Sequence, residues 1–210
     1  MCSSLRTFKL STPSRYSEAA NKILSWAFPG NKPNENVTSL ELSYSYDPWS
    51  AAIFPLHEKF PALKRLTMND SHFGTTLWQF PCKVSLRSFP NFQNLEWLEI
   101  KYPAIKRNEL LFVAEKVGKT LRYLGLPMQH QIRDDHLRDF ADMFPALRTL
   151  DLSHCVAITD AILVEWYIKH DKSEWPNLRK LVLKGCSRGI TREMVESVRL
   201  KTRNQLLIDL

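Results

Sequence analysis

The chain has 210 residues, of which 44 % are hydrophobic and 24 % charged, as is ordinary for a globular protein. Its net charge of +7 permits acidic protein partners or nucleic acid and selects neither. No apolar run reaches the roughly 18 residues that a membrane span needs, and the N-terminus lacks the apolar stretch of a secretory signal. The four cysteines contain no C-x-x-C pair and favour a reducing compartment, so we expect the protein in the cytoplasm or nucleus.

One spacing of apolar residues, L-x-x-L-x-L, recurs along almost the whole chain. The steps between successive copies are 32, 26, 32, 26, 26 and 31 residues, a nearly constant phase that indicates a repeat architecture. The seven copies begin at Leu5, Val37, Leu63, Leu95, Leu121, Leu147 and Leu178, and a degenerate eighth copy, Ile208–Leu210, ends the chain.

Each copy predicts a strand followed by a return segment. The L-x-L portion alternates apolar and polar residues, which indicates a strand, and helical spacing follows four of the strands. The helical stripes lie in residues 16–27, 110–117, 137–144 and 162–166. Because one such unit cannot bury its own apolar face, neighbouring units must stack. The sequence therefore predicts one domain over residues 1–210, an α/β leucine-rich-repeat solenoid of about eight repeats, with parallel strands on the concave face and helices and loops on the convex face.

Three of the predicted units are irregular. Residues 71–94 have no helical stripe, residues 168–177 form an extended charged segment, and Pro55 limits its helix to a short piece. Long loops of repeat proteins often lie at binding faces, and a variation in packing explains them equally well. The role of these segments stays open at the level of sequence.

A cysteine stands eight residues after the first leucine in two copies. Cys155 and Cys186 are predicted to point inward at the turn leaving the strand, with the thiol bonded to a backbone group. The alternative is a nucleophile or a metal ligand, which the frequency of inert buried thiols disfavours. In the copy that begins at Leu121, Gln129 stands at the same position.

The two cysteine-containing copies read L-x-x-L-x-L-x-x-C and are followed by Ile158-Thr159 and Ile190-Thr191. This pattern resembles the cysteine-containing leucine-rich repeat that is typical of F-box/LRR proteins. The resemblance implies a protein-interaction module similar to the substrate-recognition region of a cullin-RING ubiquitin ligase receptor. No F-box precedes the first strand at Leu5, so binding of the ligase adaptor is expected only if an F-box lies upstream in a longer product. The chain is either a fragment of such a protein or a binding module without an F-box, and we expect flanking sequence or a partner to cover at least one of its apolar ends.

The residues between the leucines of each strand are predicted to point outward in columns. The first column is Thr7, Ser39, Arg65, Trp97, Tyr123, Thr149 and Lys180, the second is Lys9, Glu41, Thr67, Glu99, Gly125, Asp151 and Val182, and the third is Ser11, Ser43, Asn69, Lys101, Pro127, Ser153 and Lys184. Arg65, Trp97 and Tyr123, here termed the aromatic patch, are neighbours in the first column and are of the residue types that dominate binding hot spots. They are predicted to bind a protein partner, the alternative being ordinary surface aromatics.

Cations follow the first leucine of five of the seven copies. This basic row consists of Arg6, Lys64, Arg122, Arg148 and Arg179. It is suited to steering an acidic protein segment or to holding phosphates, and a solvated rim is the alternative to both. Glu99 and Asp151 on the same face argue against a groove for nucleic acid. The predicted partner-binding set is Arg65, Trp97, Tyr123, Glu99, Asp151, Lys180, Arg122, Arg148 and Arg179.

No residue constellation indicates catalysis. The six histidines lack metal-ligand spacing, and no glycine-rich phosphate loop occurs among the six glycines. We therefore expect no enzyme activity, no metal and no cofactor. A protein-binding module is favoured, and the alternatives are a nucleic-acid-binding repeat protein that uses the basic row and a scaffold for complex assembly.

Overall fold

A computed structural model describes residues 5–12, 32–44, 56–70, 89–101, 105–168, 177–186, 189–203 and 205–210. The predicted helix in residues 16–27, most of the segments 71–94 and 168–177, and Pro55 lie outside the described residues. Within them, no helix has the length and apolar character that crossing a membrane requires.

Eight strands form one parallel sheet in chain order, as the repeat spacing predicts. They are β1 (Thr7–Thr12), β2 (Ser39–Tyr44), β3 (Arg65–Asp70), β4 (Trp97–Lys101), β5 (Tyr123–Gly125), β6 (Thr149–Asp151), β7 (Lys180–Val182) and β8 (Leu207–Asp209).

The register of the sheet is set at the start of each strand. The carbonyl of Lys64 accepts hydrogen bonds from the N–H groups of Glu96 and Trp97, each at 2.9 Å. The carbonyls of Glu96, Arg122 and Arg148 accept two N–H groups from the following strand in the same way. A slip of one residue would turn every core side chain to the other face of the sheet, so this shared acceptor and the buried leucines enforce the same register.

Helices of the described residues connect successive strands, one between β2 and β3 and the others between β4 and β8. They are α1 (Leu56–Lys59), α2 (Arg107–Val117), α3 (Asp134–Leu137), α4 (Phe140–Met143), α5 (Asp160–Leu163) and α6 (Arg192–Lys201), and a π-helical turn, Val164–Ile168, continues α5.

The apolar stripe of residues 137–144 belongs to two short helices rather than one. Asp139 leaves the helical conformation with ψ at 10°, and its carboxylate pairs with Arg107 of α2. Leu137, Phe140 and Phe144 are nevertheless buried, because the break falls between them and leaves their faces toward the core.

The core is a continuous layer of apolar side chains between the sheet and the return segments. The three leucine positions of the spacing are fully or almost fully buried in every copy from Val37 to Leu178. Each buried leucine contributes roughly 1.5–3 kcal/mol to the free energy of unfolding. The buried side chains of each copy pack against those of its neighbours, so we expect the copies to fold cooperatively.

Two buried thiols connect adjacent copies. Cys155 Sγ donates to the carbonyl of Leu126 at 3.2 Å, and Cys186 Sγ donates to the carbonyl of Leu152 at 3.1 Å. Burial raises the pKa of the Cys155 thiol to about 12 and that of the Cys186 thiol above its ordinary value. The predicted thiol–backbone bonds are confirmed, and such thiols are poor nucleophiles because little thiolate forms.

Gln129 performs the same task with a longer side chain. Its Nε2 donates to the carbonyl of Ile100 at 3.4 Å, and Ile100 occupies in its copy the place that Leu126 occupies in the next. Its Oε1 also accepts from the N–H of Ile105 at 3.0 Å. The amide is completely buried, so these two bonds satisfy backbone groups that water cannot reach.

Outside the core, a second set of bonds joins the helix starts. The Asp134 carboxylate accepts from the Thr159 N–H at 3.0 Å and hydroxyl at 2.6 Å. Asp160 accepts from the Thr191 N–H at 2.9 Å and hydroxyl at 2.7 Å. Each threonine is also the N-cap of its own helix, so helix capping and attachment to the preceding copy are combined in one residue.

Replacing the buried amide measures the contribution of the interior polar bonds. Gln129→Leu leaves the Ile105 N–H and the Ile100 carbonyl without partners, and we expect each to cost about 1–3 kcal/mol of unfolding free energy. Urea unfolding followed by circular dichroism provides the measurement. Gln131→Leu, the same change at an exposed position, is the matched control, and an equal effect of the two changes would contradict the account.

The thiols should resist alkylation in the folded protein. Since the folded-state pKa of Cys155 lies near 12, its thiolate is scarce at pH 8, and the side chain is buried. We expect iodoacetamide to modify Cys155 and Cys186 only when the chain unfolds in urea, as read by site-resolved peptide mass spectrometry. Rapid modification of either residue in buffer would contradict their structural role.

Candidate functional site

The strand face, defined as the sheet face that carries the first and second columns, keeps the predicted order. Strand pairing aligns Thr7, Ser39, Arg65, Trp97, Tyr123, Thr149 and Lys180 in one row, with Leu207 of β8 as an eighth member. Two residues differ from the sequence interpretation, because Pro127 is buried beyond the end of β5 and Val182, in line between Asp151 and Asp209, is only 8 % exposed.

The aromatic patch is a three-layer stack across adjacent strands. The rings of Trp97 and Tyr123 lie parallel, with centroids 3.4 Å apart and an interplanar angle of 4°. The Arg65 guanidinium carbon lies 3.8 Å from the centre of the Trp97 ring. Since β3 and β5 flank β4, the arginine and the tyrosine cover opposite faces of the indole. Both aromatic side chains are half-buried and Arg65 is exposed.

Tyr123 links the stack to β6. Its hydroxyl donates to Asp151 Oδ2 at 3.4 Å, while Asp151 Oδ1 accepts from the Ser153 N–H at 2.9 Å and hydroxyl at 2.5 Å. Burial, followed by the negative charges of Asp151 and Glu99, raises the pKa of Tyr123 well above its ordinary value. The phenol therefore stays a neutral hydrogen-bond donor, which keeps the ring oriented toward Asp151.

Gly125 makes room for the tyrosine ring. A Cβ at this position would lie 3.0 Å from the Cε1 and hydroxyl oxygen of Tyr123 and 3.0 Å from Cγ of Glu99. The ring consequently lies along its own strand over the glycine, and a side chain at this position would require the ring to shift. A glycine in a strand indicates close approach of another group, which is the signal for this contact that the sequence carries.

The carboxylates of the strand face are paired with neighbours on the face. Glu41 pairs with Lys9 at 2.6 Å and Glu99 pairs with Lys101 at 3.1 Å. Asp209 pairs with Lys184 at 3.3 Å. Asp151 differs from these three, because its carboxylate accepts hydrogen bonds from Ser153 and Tyr123 and has no cationic partner among the described residues. It therefore keeps its negative charge on the strand face.

The cations at the strand starts are much less compensated. Lys64, Arg65, Arg148 and Lys180 form no ion pair with any carboxylate in the described part of the chain, and all but the half-buried Lys180 are exposed. Arg122 approaches Glu96 at a long 3.8 Å, and Arg179 Nη1 donates to the Leu178 carbonyl at 3.2 Å. The backbone ladder places the basic row directly before the first column, on β1, β3 and the consecutive strands β5 to β7.

The predicted residues thus fall into two groups. Arg65, Trp97, Tyr123 and Asp151 are in direct succession across four strands, with Glu99 beside them. The cations of the second group, Lys180, Arg122, Arg148 and Arg179, lie along the same edge without entering the stack.

Two buried polar atoms of this face lack partners among the described residues. They are Trp97 Nε1 and Asn69 Oδ1, on neighbouring strands. Native structures contain few such atoms, and each costs free energy. Sequence reasoning missed this feature of Asn69, whose Nδ2 donates to Glu41 and Ser43. For the described residues, no group of three His, Cys, Asp or Glu side chains comes together that could hold a metal ion.

Comparison with known proteins gives a similarity of fold. No family model matches the chain, and no curated protein sequence matches it. Among solved structures, it is similar to a chain from the crystal structure of the Rad7 and Elc1 complex in yeast, with a TM-score of 0.55 and 16 % sequence identity. The match covers 98 % of this chain and 56 % of that one, so this chain spans little more than half of its neighbour. The likeness supports a leucine-rich-repeat-like α/β fold.

Adding one methyl group should disturb the patch without disturbing the core. Gly125→Ala requires the Tyr123 ring or the Glu99 side chain to shift slightly, and we expect the weakened stacking to lower the unfolding free energy by up to about 0.5–1.5 kcal/mol. Near-ultraviolet circular dichroism reports the aromatic environment. Thr67→Ala, an alanine in the same column outside the patch, is the control, and identical spectra for Gly125→Ala and the wild type would contradict the stack.

Proposed function

We propose that the chain is a leucine-rich-repeat solenoid that acts as a non-catalytic protein-binding module through its strand face. The observation that carries the proposal is the aromatic patch, in which an arginine, a tryptophan and a tyrosine are stacked on a surface that does not need them for the core. Large, pre-oriented aromatic and arginine side chains lose little entropy on binding and dominate interface energetics. In the solenoid the strand face is the concave face.

The repeat pattern makes the proposal more specific. The chain resembles the substrate-recognition region of F-box/LRR receptors, and its neighbour in fold comes from a protein complex. We propose that this chain presents a partner in the same way, either within a longer ligase receptor that carries an F-box or as a separate module. Contact with the ligase adaptor requires the F-box, and recognition of the partner requires only the strand face. The proposed location is the cytoplasm or nucleus.

Nucleic acid is the competing occupant, and the basic row favours it. Five cations on the edge of one face could neutralise phosphates, and binding of that kind falls steeply with salt. The Asp151 carboxylate, which has no cationic partner among the described residues, lies next to the row together with Glu99 and reduces the fit of the row to a polyanion. The affinity of the chain for random-sequence oligonucleotides at low ionic strength tests this possibility directly. A higher affinity for these oligonucleotides than for the captured protein would favour nucleic acid as the ligand.

The test of the proposal is affinity capture with variants of the strand face. Trp97→Ala removes the centre of the patch and should abolish capture of the partner, with a loss of stability of about 1–2 kcal/mol from the two stacking contacts. Thr149→Trp adds uncharged bulk to the same column and should also block capture. Quantitative mass spectrometry of the captured proteins is the measurement.

Two controls alter the opposite side of the chain. Leu111→Ala removes an apolar side chain that is 40 % exposed on α2, and Ser197→Trp adds the same uncharged bulk on α6. Both should retain the partner. Capture that survives Trp97→Ala and Thr149→Trp but is lost in either helix variant would place the interface elsewhere and overturn the proposal.

A further inference from the structure

Arg65 combines a contact with an aromatic ring and a charge that has no acidic partner among the described residues. Its guanidinium carbon lies 3.8 Å from the centre of the Trp97 ring, and no carboxylate of the described residues pairs with it. A guanidinium that packs against a ring face can still present its N–H edge, which matches the two oxygens of a carboxylate. Stacking also removes side-chain freedom before a ligand arrives, which lowers the entropic cost of binding.

The charge pattern of the strand face extends this local site. Glu41, Glu99 and Asp209 of the second column pair with lysines on the face itself, whereas Lys64, Arg148 and Lys180 at the strand starts have no acidic partner among the described residues. The uncompensated charge at the strand starts is therefore positive, while the Asp151 carboxylate keeps its negative charge two residues further along its strand. An acidic partner is the complementary one.

The dimensions of the cationic edge favour a ligand that is no wider than an extended peptide. From β3 to β7 there are four steps between strands, roughly 19 Å at about 4.8 Å each, a distance that about six residues of extended peptide span. The column of Glu99 and Asp151 lies two residues further along the strands, roughly 6.6 Å from the first column. A nucleic acid wide enough to cover both columns would bring phosphates against these carboxylates, while an extended peptide fits along the cationic edge.

We infer that the strand face binds an extended acidic peptide segment that crosses the strands from β3 to β7, with one carboxylate held by the N–H edge of Arg65. This inference deepens the proposed function and rests on it, because it names the chemistry of the partner. Lys64, Arg148 and Lys180 attract the remaining acidic side chains. Trp97, which is itself stacked on Tyr123, packs against the Arg65 guanidinium. Arg65 is the residue that fixes the register of the peptide.

The experiment uses fluorescein-labelled octaglutamate, with octaglutamine and octauridylate as comparison probes, in anisotropy titrations of the whole chain at low ionic strength. Octaglutamate should bind and octaglutamine should not. Arg65→Gln keeps a planar group over the indole but removes the charge, and it should weaken octaglutamate binding about tenfold or more. Arg65→Lys keeps the charge without the planar N–H edge and should recover only part of the affinity. Arg192→Gln, the same charge change at an exposed position on α6, should bind as the wild type does.

Three results would overturn the inference. They are unchanged octaglutamate binding in Arg65→Gln, equal binding by Arg65→Lys and the wild type, and Arg65-dependent binding of octauridylate without binding of octaglutamate. The proposed function fails separately. A protein captured through Trp97 but insensitive to Arg65→Gln would support the binding module and reject the acidic peptide as its partner. Arg65-dependent octaglutamate binding without any protein captured through the strand face would support the acidic-ligand site and reject the proposed capture of a protein.

Discussion

The register of the sheet depends on hydrogen bonds at the strand starts, where the carbonyl before each strand from β1 to β6 accepts two N–H groups of the next strand. This shared acceptor fixes the register from β1 to β7, and one bond from the Leu207 N–H to the Arg179 carbonyl joins β8. The register decides which side chains become neighbours. The Lys64 carbonyl, for example, holds Trp97 in line with Arg65, and the Glu96 carbonyl holds Tyr123 in line with Trp97. The stack on the surface is thus a consequence of backbone pairing together with the choice of three side chains.

Polar groups reinforce this pairing in places where apolar packing alone would leave backbone atoms without partners. Near the ends of β4, β5 and β6, the carbonyls of Ile100, Leu126 and Leu152 accept hydrogen bonds from the buried side chains of Gln129, Cys155 and Cys186. A buried carbonyl without a donor costs free energy, so small or flexible donors suit the position. Because the donor always comes from the next copy, each of these bonds holds two copies together. This arrangement explains why a glutamine can replace a cysteine without loss of the connection.

The sequence predicted the parts of the structure that depend on periodicity. The strand starts, the parallel order, the outward columns and the inward thiols all follow from the spacing of apolar residues, since burial enforces that spacing. Local backbone events were not predictable in this way. The break at Asp139 coincides with an ion pair to Arg107, 32 residues earlier, and Pro127 is buried beyond the end of β5. The neighbours in the patch could be named from sequence. The contact of Arg65 with the Trp97 ring, the position of the Tyr123 ring over Gly125 and the pairing of Glu99 with Lys101 are side-chain choices that no periodic pattern encodes.

A photochemical cross-link tests most directly whether the partner binds at the strand face. Thr149 lies in the first column between Tyr123 and Lys180, and Leu111 lies exposed on α2. Thr149→p-benzoylphenylalanine should yield a covalent adduct with the captured partner on irradiation, while Leu111→p-benzoylphenylalanine should not. An adduct formed only from position 111 would show that the partner binds the helical side and would contradict the account.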